Sequence, residues 1–234
     1  LLLLLLLLPA KGLAVLIFGK IHAALGGALR FSITGGSALP AVVDHFLSAI
    51  GMTVMEGYGM TETSAVISIR SLKRPTPGTV GHPLPGYQIK LKNNEGLDIK
   101  TQPGEKGTLW VKSDQILLGY YKRPELNSVV FDNEGFFDTG DLMLLSPRGE
   151  LMFAGRAKDT IALAGGENVE PVPVEDRLLV SPYIDQVMVV GDDRKTLGAL
   201  IVPHFERVEQ KLKSDAPETK IPPRENWNEH PPVR

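Results

Sequence analysis

The chain of 234 residues contains no cysteine, which excludes disulfide bonds, thiolate metal sites and a cysteine nucleophile. Its five histidines are scattered without an i, i+4 pair, so a transition-metal centre is not expected. Blocks of five or more like charges are also lacking, and 25 basic against 27 acidic residues leave a net charge of −2. We therefore expect no nucleic-acid partner. The absence of cysteine fits a reducing compartment, and the predicted location is the cytoplasm.

The start of the sequence is unusual, because eight leucines stand where a methionine is expected. Pro9, Lys11 and Gly12 separate them from a second apolar run, 13–18. Neither run has the length of about 20 residues that a membrane-spanning helix needs, and no basic region typical of a signal peptide precedes them. We interpret the chain as an internal fragment, with this segment packed on the rest of a longer protein or of low complexity. Peripheral membrane association is the alternative.

An α/β unit is predicted from the pattern that follows. Residues 29–36 alternate in polarity and end in two glycines, which predicts a strand running into a tight turn. A helix is predicted over 41–50, and a short apolar strand over 52–55 leads into the glycine loop 56–59. In such a unit the ligand site lies at the carboxyl ends of the strands.

The pattern changes twice further along the chain. Between residues 75 and 155, short apolar runs separated by Pro-Gly and Asn-Asn-Glu-Gly turns predict a small β-rich subdomain with almost no helix. Beyond it, a small α+β domain is predicted from a helix around 174–180 and strands near 160–164, 186–190 and 197–203.

The strongest local signal for chemistry is the segment 58–63, which combines an aromatic ring, a glycine, hydroxyl groups and a carboxylate at the end of a strand. Glycine allows the backbone to approach a phosphate, the hydroxyl of Thr61 can donate to a phosphate oxygen, and the carboxylate of Glu62 can hold Mg²⁺. The residues alone leave one alternative open, a helix start with a threonine cap and an acid near the helix dipole.

Two other segments contain candidate binding groups. The turn 138–141, Asp-Thr-Gly-Asp, can present an aspartate to both hydroxyls of a ribose, although these are also ordinary turn residues. The stretch 149–171 contains Arg156 beside a glycine at the expected domain junction, then Lys158, and then a pair of glycines. Each piece by itself is compatible with a simple loop.

Together, the order and spacing of these segments resemble the adenylate-forming superfamily, which includes acyl-CoA synthetases, peptide-synthetase adenylation domains and luciferases. Segment 34–38 resembles the adenine-side glycine motif of that family, 57–63 its adenylate loop, and 133–169 its longest signature. The resemblance spans 29–202 and is closest to the long-chain fatty acyl-CoA synthetases, particularly in 155–171.

The resemblance implies ATP or AMP, Mg²⁺ and coenzyme A as cofactors and a fatty acid as the second small-molecule substrate. Gly36 and Tyr58 would flank adenine, Asp141 would hold the ribose diol, and Arg156 would also contact the ribose. The complete set of implied cofactor-binding residues is Gly35, Gly36, Gly57, Tyr58, Gly59, Thr61, Asp141, Arg156, Gly165 and Gly166.

Three residues are implied as catalytic. Thr61 would contact the α-phosphate, Glu62 would bind magnesium, and Lys158 would be the hinge about which the small domain rotates between adenylate and thioester formation. Gly165 and Gly166 would line the path of the pantetheine thiol. The implied reaction is attack of a carboxylate on the α-phosphate of ATP, followed by displacement of AMP by the thiol of coenzyme A. Another acid or thiol acceptor is one alternative, and an inactive nucleotide-binding module is another.

The predicted fold class is α/β. Residues 1–155 are assigned to the C-terminal part of a large AMP-binding domain, comprising the α/β unit and the β-rich subdomain. Residues 156–209 are assigned to part of a small mobile α+β domain, and 210–234 to a polar, proline-rich tail that we expect to be disordered. The family's phosphate loop and its C-terminal catalytic lysine have no counterpart in this sequence, so the isolated chain is expected to be inactive or nearly so.

Overall fold

The computed structural model describes residues 17–99 and 103–215. The chain divides into two compact units, one ending at Thr160 and the other beginning at Ile161. Both combine helices with β-sheets, which confirms the predicted α/β class. The division lies close to the predicted domain start at residue 156, and the assignment of the units to the family's large and small domains stays a prediction.

The first unit opens with the predicted α/β arrangement. After helix α1 (Gly19–Ala24), strand β1 (Ser32–Thr34) and strand β2 (Val54–Tyr58) pair in parallel and are joined by helix α2 (Ala41–Ala49). Two short strands, β3 (Ser68–Ile69) and β4 (His82–Pro83), extend this sheet with antiparallel pairing in the order β1-β2-β3-β4. The loops after β1 and β2 therefore leave the sheet at the same edge.

The β-rich part of the first unit is a five-stranded antiparallel sheet in the order β6-β5-β7-β8-β9. Its only helix in the described part of the chain is short, α3 (Pro124–Val130), and lies between β7 and β8. The strands are β5 (Gln88–Lys92), β6 (Asp98–Ile99), β7 (Lys106–Lys112), β8 (Phe137–Leu145) and β9 (Leu151–Arg156).

The core of the first unit joins its two sheets. Burial alternates along β7, where Leu109 and Val111 are fully buried, as expected for a sheet with one face packed. Backbone bonds connect the sheets directly: Val80 N donates to Leu151 O at 2.7 Å, and Leu151 N donates to Gly81 O at 2.8 Å. The buried cluster consists of Ile67, Val80, Leu91, Leu109, Val111, Phe137, Met143, Leu145 and Leu151.

The second unit contains two hairpins and two helices. Strands β10 (Ile161–Ala162) and β11 (Asn168–Val169) pair antiparallel, as do β12 (Ile184–Val190) and β13 (Gly198–Pro203). Helix α4 (Pro171–Leu178) packs on β12, where Val189 N donates to Glu175 Oε1 at 2.8 Å. The helix starts earlier than predicted because Pro171 occupies its first turn, where a missing N–H costs no hydrogen bond.

The predicted tail begins too early. Helix α5 (Phe205–Asp215) continues through 210–215, so disorder from residue 210 is wrong for those positions. Phe205, Val208 and Leu212 repeat at helical spacing, and Lys211 pairs with Asp215 one turn later at 2.9 Å. The rest of the tail, 216–234, and the leucine run lie outside the described residues. None of the helices described is long and apolar enough to cross a bilayer.

Candidate nucleotide site

A cavity of about 510 Å³ lies within the first unit, between the edges of its two sheets. We call its two sides the first wall and the second wall, and Val80 completes the lining. The first wall consists of Gly36, Ser37, Ala38, Glu56, Gly57, Tyr58, Gly59 and Met60. The second wall consists of Asp138, Thr139, Gly140, Asp141, Phe153, Arg156, Ala157 and Lys158. Segments from all three sequence motifs thus meet at one cavity.

The first wall is formed by the loop after β1, by the end of β2 and by the two residues that follow β2. Parallel pairing aligns Thr34 with Glu56, so Gly35 and Gly57 become neighbours. Gly36 has a φ of 89°, in the left-handed region that favours glycine. At Gly59 a Cβ atom would lie 1.7 Å from Ala65 O, so this glycine is required by the close approach of two backbone segments.

The residues after Gly59 form a 3₁₀ turn, Thr61–Thr63. Thr63 is buried and its hydroxyl donates to Met60 O at 3.0 Å, which fixes the turn on the end of the first wall. Glu62 is held by the chain that precedes α3: Leu117 N donates to Glu62 O at 2.8 Å, and the Tyr120 hydroxyl donates to Glu62 Oε1 at 2.9 Å. Thr61 and Glu62 therefore lie beside the cavity and are absent from its lining.

The second wall is positioned by strand pairing above the apolar core. In the β8–β9 ladder Asp141 stands opposite Arg156. Residues 138–141 were predicted as a turn but lie within β8. The hydroxyl of Thr139 donates to Leu109 O at 2.8 Å and accepts from Asp141 N at 3.2 Å, which ties this part of β8 to β7. These bonds hold the backbone of Asp141 so that its side chain faces the first wall.

The two walls are connected by one hydrogen bond between motif residues. The Tyr58 hydroxyl donates to Asp141 Oδ2 at 2.7 Å, while Arg156 Nε lies 3.5 Å from Oδ1 of the same carboxylate. Burial raises the pKa of Asp141 above its usual value, and the Tyr58 hydrogen bond and Arg156 oppose this rise. Burial, with the adjacent Asp141 charge, also raises the pKa of Tyr58, so its hydroxyl stays protonated as a donor. Burial likewise raises the pKa of Asp138.

The structure brings together most, but not all, of the residues proposed from the sequence. Gly35 is next to the lining in the chain, and a Cβ atom added to it would lie 3.0 Å from Gly57 O. Gly165 and Gly166 belong to the second unit, in the turn between β10 and β11. The proposed residues that line the cavity are Gly36, Gly57, Tyr58, Gly59, Asp141, Arg156 and Lys158.

Three lining residues were not among the predicted site residues: Val80, which lies outside every motif, and Phe153 and Ala157, which lie within the stretch 149–171. The case of Phe153 has a structural cause. Simple alternation along β9 would place Phe153 and Arg156 on opposite faces, but the register shifts between the pairs Leu142–Gly155 and Met143–Phe153. This bulge turns both side chains toward the cavity.

The arrangement fits a magnesium ion only together with a nucleotide. Glu62 offers one carboxylate, and its Oε2 accepts no hydrogen bond from the described residues. No group of three or more His, Cys, Asp or Glu side chains in residues 17–99 and 103–215 could hold a metal ion by itself. Mg²⁺ is commonly held by one or two carboxylates plus substrate phosphates, so Glu62 is a suitable ligand for a nucleotide-bound ion.

Comparison with known families decides the relationship. Residues 5–121 match the profile described as AMP-binding enzyme, and residues 158–230 match that of the AMP-binding enzyme C-terminal domain. The chain belongs to the AMP-binding enzyme family. The superfamily inferred from the motifs is confirmed, and its members are enzymes.

Relatives within this AMP-binding family act on fatty acids according to their names. The chain is 39% identical over 214 residues to the chloroplastic long-chain-fatty-acid–[acyl-carrier-protein] ligase AEE15 of Arabidopsis thaliana, covering 87% of this chain and 29% of the relative. It is 37% identical to the long-chain-fatty-acid–CoA ligase FadD15 of Mycobacterium bovis, covering 80% of this chain and 29% of the relative. The chain thus spans about 29% of the length of these curated relatives.

A solved AMP-binding enzyme supports the fold. The O-succinylbenzoate coenzyme A synthetase MenE of Bacillus subtilis, in complex with ATP and a magnesium ion, superposes with a TM-score of 0.66 at 30% identity. The match covers 79% of this chain and 40% of MenE. This relative therefore binds ATP in a fold that matches the present chain.

Proposed function

We propose that the cavity binds the AMP moiety of ATP, and that the protein activates a long-chain fatty acid as its acyl-adenylate before passing the acyl group to a thiol. The observation that carries this proposal is the 2.7 Å hydrogen bond between Tyr58 and Asp141, two motif residues 83 positions apart that meet in one cavity. Ligand cavities of about 300–1,000 Å³ are typical of small-molecule sites, and this cavity falls in that range.

Asp141 is proposed to hold the ribose. An ionised carboxylate accepts hydrogen bonds at both oxygens, and each oxygen has two lone pairs, so Oδ2 can accept from a ribose hydroxyl while it accepts from Tyr58. Arg156 lies on the Oδ1 side and has an exposed side chain that can reach the same sugar. The ring of Tyr58 and the backbone at Gly36 would then flank the base from the first wall.

The reaction forms and breaks one bond in each step. In the first, a carboxylate oxygen of the fatty acid attacks the α-phosphorus, a new P–O bond forms, and pyrophosphate leaves. In the second, the thiol gives up its proton to solvent and attacks the acyl carbon, a C–S bond forms, and AMP leaves with the electrons of the broken C–O bond. Thr61 would donate to the α-phosphate, and Glu62, oriented by Tyr120, would hold a magnesium ion that supplies positive charge to the phosphates. The chain itself contributes position and charge stabilisation.

Lys158 is proposed as the hinge between the two half-reactions. It lies in the 3₁₀ turn Ala157–Asp159, just before the division between the compact units after Thr160. Hinges are short segments at the ends of elements that absorb backbone rotation, and this turn meets that description. Gly165 and Gly166 would line the path of the incoming thiol.

The thiol is proposed to be that of coenzyme A, since FadD15 is named as a coenzyme A ligase. A second candidate is the thiol of an acyl carrier protein, because AEE15, at 39% identity, is named as an acyl-carrier-protein ligase. Both carry the same reactive thiol, so the two candidates share the adenylate chemistry. Transfer assays with each acceptor after acyl-adenylate formation distinguish them.

The first test is calorimetric titration of the chain with AMP, comparing Asp141→Asn with Asp138→Asn. Both aspartates line the cavity and both are partly buried, but only Asp141 is assigned to the ribose. Loss of a hydrogen bond to a charged group is worth about 1.5–3 kcal/mol, so Asp141→Asn should weaken AMP binding by about 10- to 100-fold. Asp138→Asn should change it little.

Equal effects of the two substitutions would reject the ribose role of Asp141. A folded chain that binds no AMP would reject nucleotide binding by this cavity. AMP binding by the chain, without fatty-acid-dependent exchange of pyrophosphate into ATP by a longer protein that contains it, would favour the inactive nucleotide-binding module.

A further inference from the structure

A buried charge network lies directly behind the first wall and takes no part in the proposed chemistry. Arg70 is 1% exposed, and its guanidinium donates to Asp44 Oδ1 and Oδ2, both at 2.8 Å, and to Glu56 Oε2 at 2.5 Å. Its Nε also donates to Thr79 O. One cation is therefore surrounded by two carboxylates and a carbonyl in the interior.

The two carboxylates also accept hydrogen bonds from the backbone. Gly78 N donates to Asp44 Oδ2 at 2.7 Å, and Leu39 N donates to Glu56 Oε1 at 2.9 Å. Asp44 lies on α2, Glu56 on β2 and Arg70 immediately after β3, so the network joins three elements of the first sheet. Each carboxylate thus links the guanidinium to a loop.

The bond to Leu39 is the one that reaches the cavity. Leu39 follows Gly36–Ala38, the part of the first wall that comes from the loop after β1. Among the described residues, no other side chain hydrogen-bonds the segment 35–40. Glu56 itself lines the cavity, so the distance between the two loops of the first wall depends on where the network holds this carboxylate.

Rigidity distinguishes this network from a simple ion pair. A guanidinium is planar and binds a carboxylate with two parallel hydrogen bonds, which fixes angle as well as distance. Buried ion pairs are weak contributors to stability because desolvation offsets their attraction, so the stability of the fold does not by itself explain three buried charges.

We propose that Asp44, Arg70 and Glu56 are positioning residues that set the base-binding end of the nucleotide cavity. This inference rests on the proposed function, in which Gly36 and Tyr58 flank the base while Asp141 on the opposite wall holds the ribose. Perturbing the network moves the loop 36–38 relative to β2 and leaves the second wall in place. It therefore reduces affinity for the base and spares the ribose phosphate.

The experiment compares two ligands, AMP and ribose 5-phosphate, by NMR titration of the whole chain. Asp44→Asn removes the charge opposite Arg70 without touching the cavity. It should weaken AMP binding by about 5- to 10-fold. Direct loss of one hydrogen bond to a charged group changes affinity by about tenfold or more, and the effect of this substitution on the ligand is indirect. The affinity for ribose 5-phosphate should stay within about twofold, since its sugar contacts Asp141 and Arg156 lie on the second wall and its phosphate contact Thr61 is not part of the network.

The matched control is Asp132→Asn. Asp132 accepts from Lys92 Nζ at 2.8 Å in another poorly exposed ion pair of the first unit, and it does not line the cavity. This substitution should leave the ratio of the two affinities unchanged. A ratio that shifts equally in both variants, or in neither, overturns the proposal.

A neutral replacement covers the case in which Asp44→Asn fails to fold. Asp44→Leu, Glu56→Gln and Arg70→Met together remove all three buried charges, and such replacements are often tolerated. The folded triple variant should keep ribose 5-phosphate binding and lose the preference for AMP. Retention of that preference would show that the network only stabilises the fold. If the unaltered chain binds AMP with the expected sensitivity to Asp141→Asn, failure here leaves the proposed function intact. If it binds neither ligand, both proposals fail.

Discussion

The two walls of the cavity are built by different physical means. The first wall consists of the end of the short strand β2 with the loops beside it, and is held by a buried network of charges around Arg70. The second wall stands on a nine-residue strand, β8, whose underside packs Phe137 and Met143 into the apolar core. Charges fix direction at a cost in desolvation, whereas apolar packing stabilises without fixing a particular angle. The first wall is therefore the more exactly oriented of the two, and the burial of its charges contributes less to stability than the apolar packing below the second wall.

The largest effect is expected for Arg70→Met, which leaves two buried carboxylates without their cation. Removing one partner of a buried ion pair costs about 3–5 kcal/mol, so the free energy of unfolding should fall by that amount in urea titrations. Arg123→Met is the control, because the Arg123–Glu125 pair is more than half exposed. It should leave the midpoint unchanged. An Arg70→Met chain as stable as the unaltered one would remove the contrast between the walls.

Leu109→Ala tests the second wall. Leu109 is fully buried on β7, the strand paired with β8, and truncation of a buried leucine costs about 2–5 kcal/mol because of lost transfer energy and a residual cavity. Urea unfolding at two pH values separates this loss from that of Arg70→Met.

The loss of stability should depend on pH for the first wall and not for the second. Burial raises the pKa of Glu56, and Arg70 opposes the rise, so Arg70→Met raises this pKa further in the folded chain. A carboxyl with a raised folded-state pKa binds protons more tightly when folded, so its contribution to stability grows as pH falls. The deficit of Arg70→Met should therefore shrink toward acidic pH, while that of Leu109→Ala should not respond. Parallel pH profiles would contradict the assignment of charge to one wall and packing to the other.

A third effect is expected within the first wall at Gly59. A Cβ there would lie 1.7 Å from Ala65 O, so Gly59→Ala forces the following turn to move and should cost about 1–3 kcal/mol. Gly19→Ala is the control, since no atom lies within 4 Å of its added Cβ. Thermal unfolding of both variants checks the prediction, and equal midpoints would show that the turn carrying Glu62 relaxes freely.

The smallest effect is a shift of one titration. The hydrogen bond from Tyr58 lowers the pKa of Asp141 against the effect of burial, so Tyr58→Phe should raise it. AMP binding that needs the ionised carboxylate should then weaken at a higher pH as the solution is acidified. Carboxyl carbon NMR follows the same group directly. Tyr87→Phe, which removes a hydroxyl bonded to Thr63 O, should leave the Asp141 titration in place.

The sequence predicted the cavity better than its surroundings. Tyr58, Asp141 and Arg156 follow motifs with fixed spacing, and all three line the cavity. Alternation and turn residues were enough to predict the α/β unit and the β-rich sheet. Those signals involve residues that are close together in the chain, so they can be recognised from the sequence alone.

The features that were missed depend on contacts between distant segments. Arg70 carries no motif, and its two carboxylate partners are 26 and 14 residues away. Phe153 enters the cavity through a bulge that alternation cannot reveal. The position of Glu62 beside the lining depends on Tyr120, which is 58 residues away. Helix α5 was missed because polar composition outweighed a three-residue apolar stripe.

Gly81 shows where this molecule tolerates substitution least. It has a φ of 80°, and an added Cβ would lie 2.0 Å from Ile69 O, at the point where Leu151 N bonds to Gly81 O and joins the two sheets. A deep mutational scan should therefore show a position without any ligand contact that accepts no other residue. Intolerance to substitution at Gly81 would be mistaken for a role in the chemistry, although its cause is the close packing where the two sheets join.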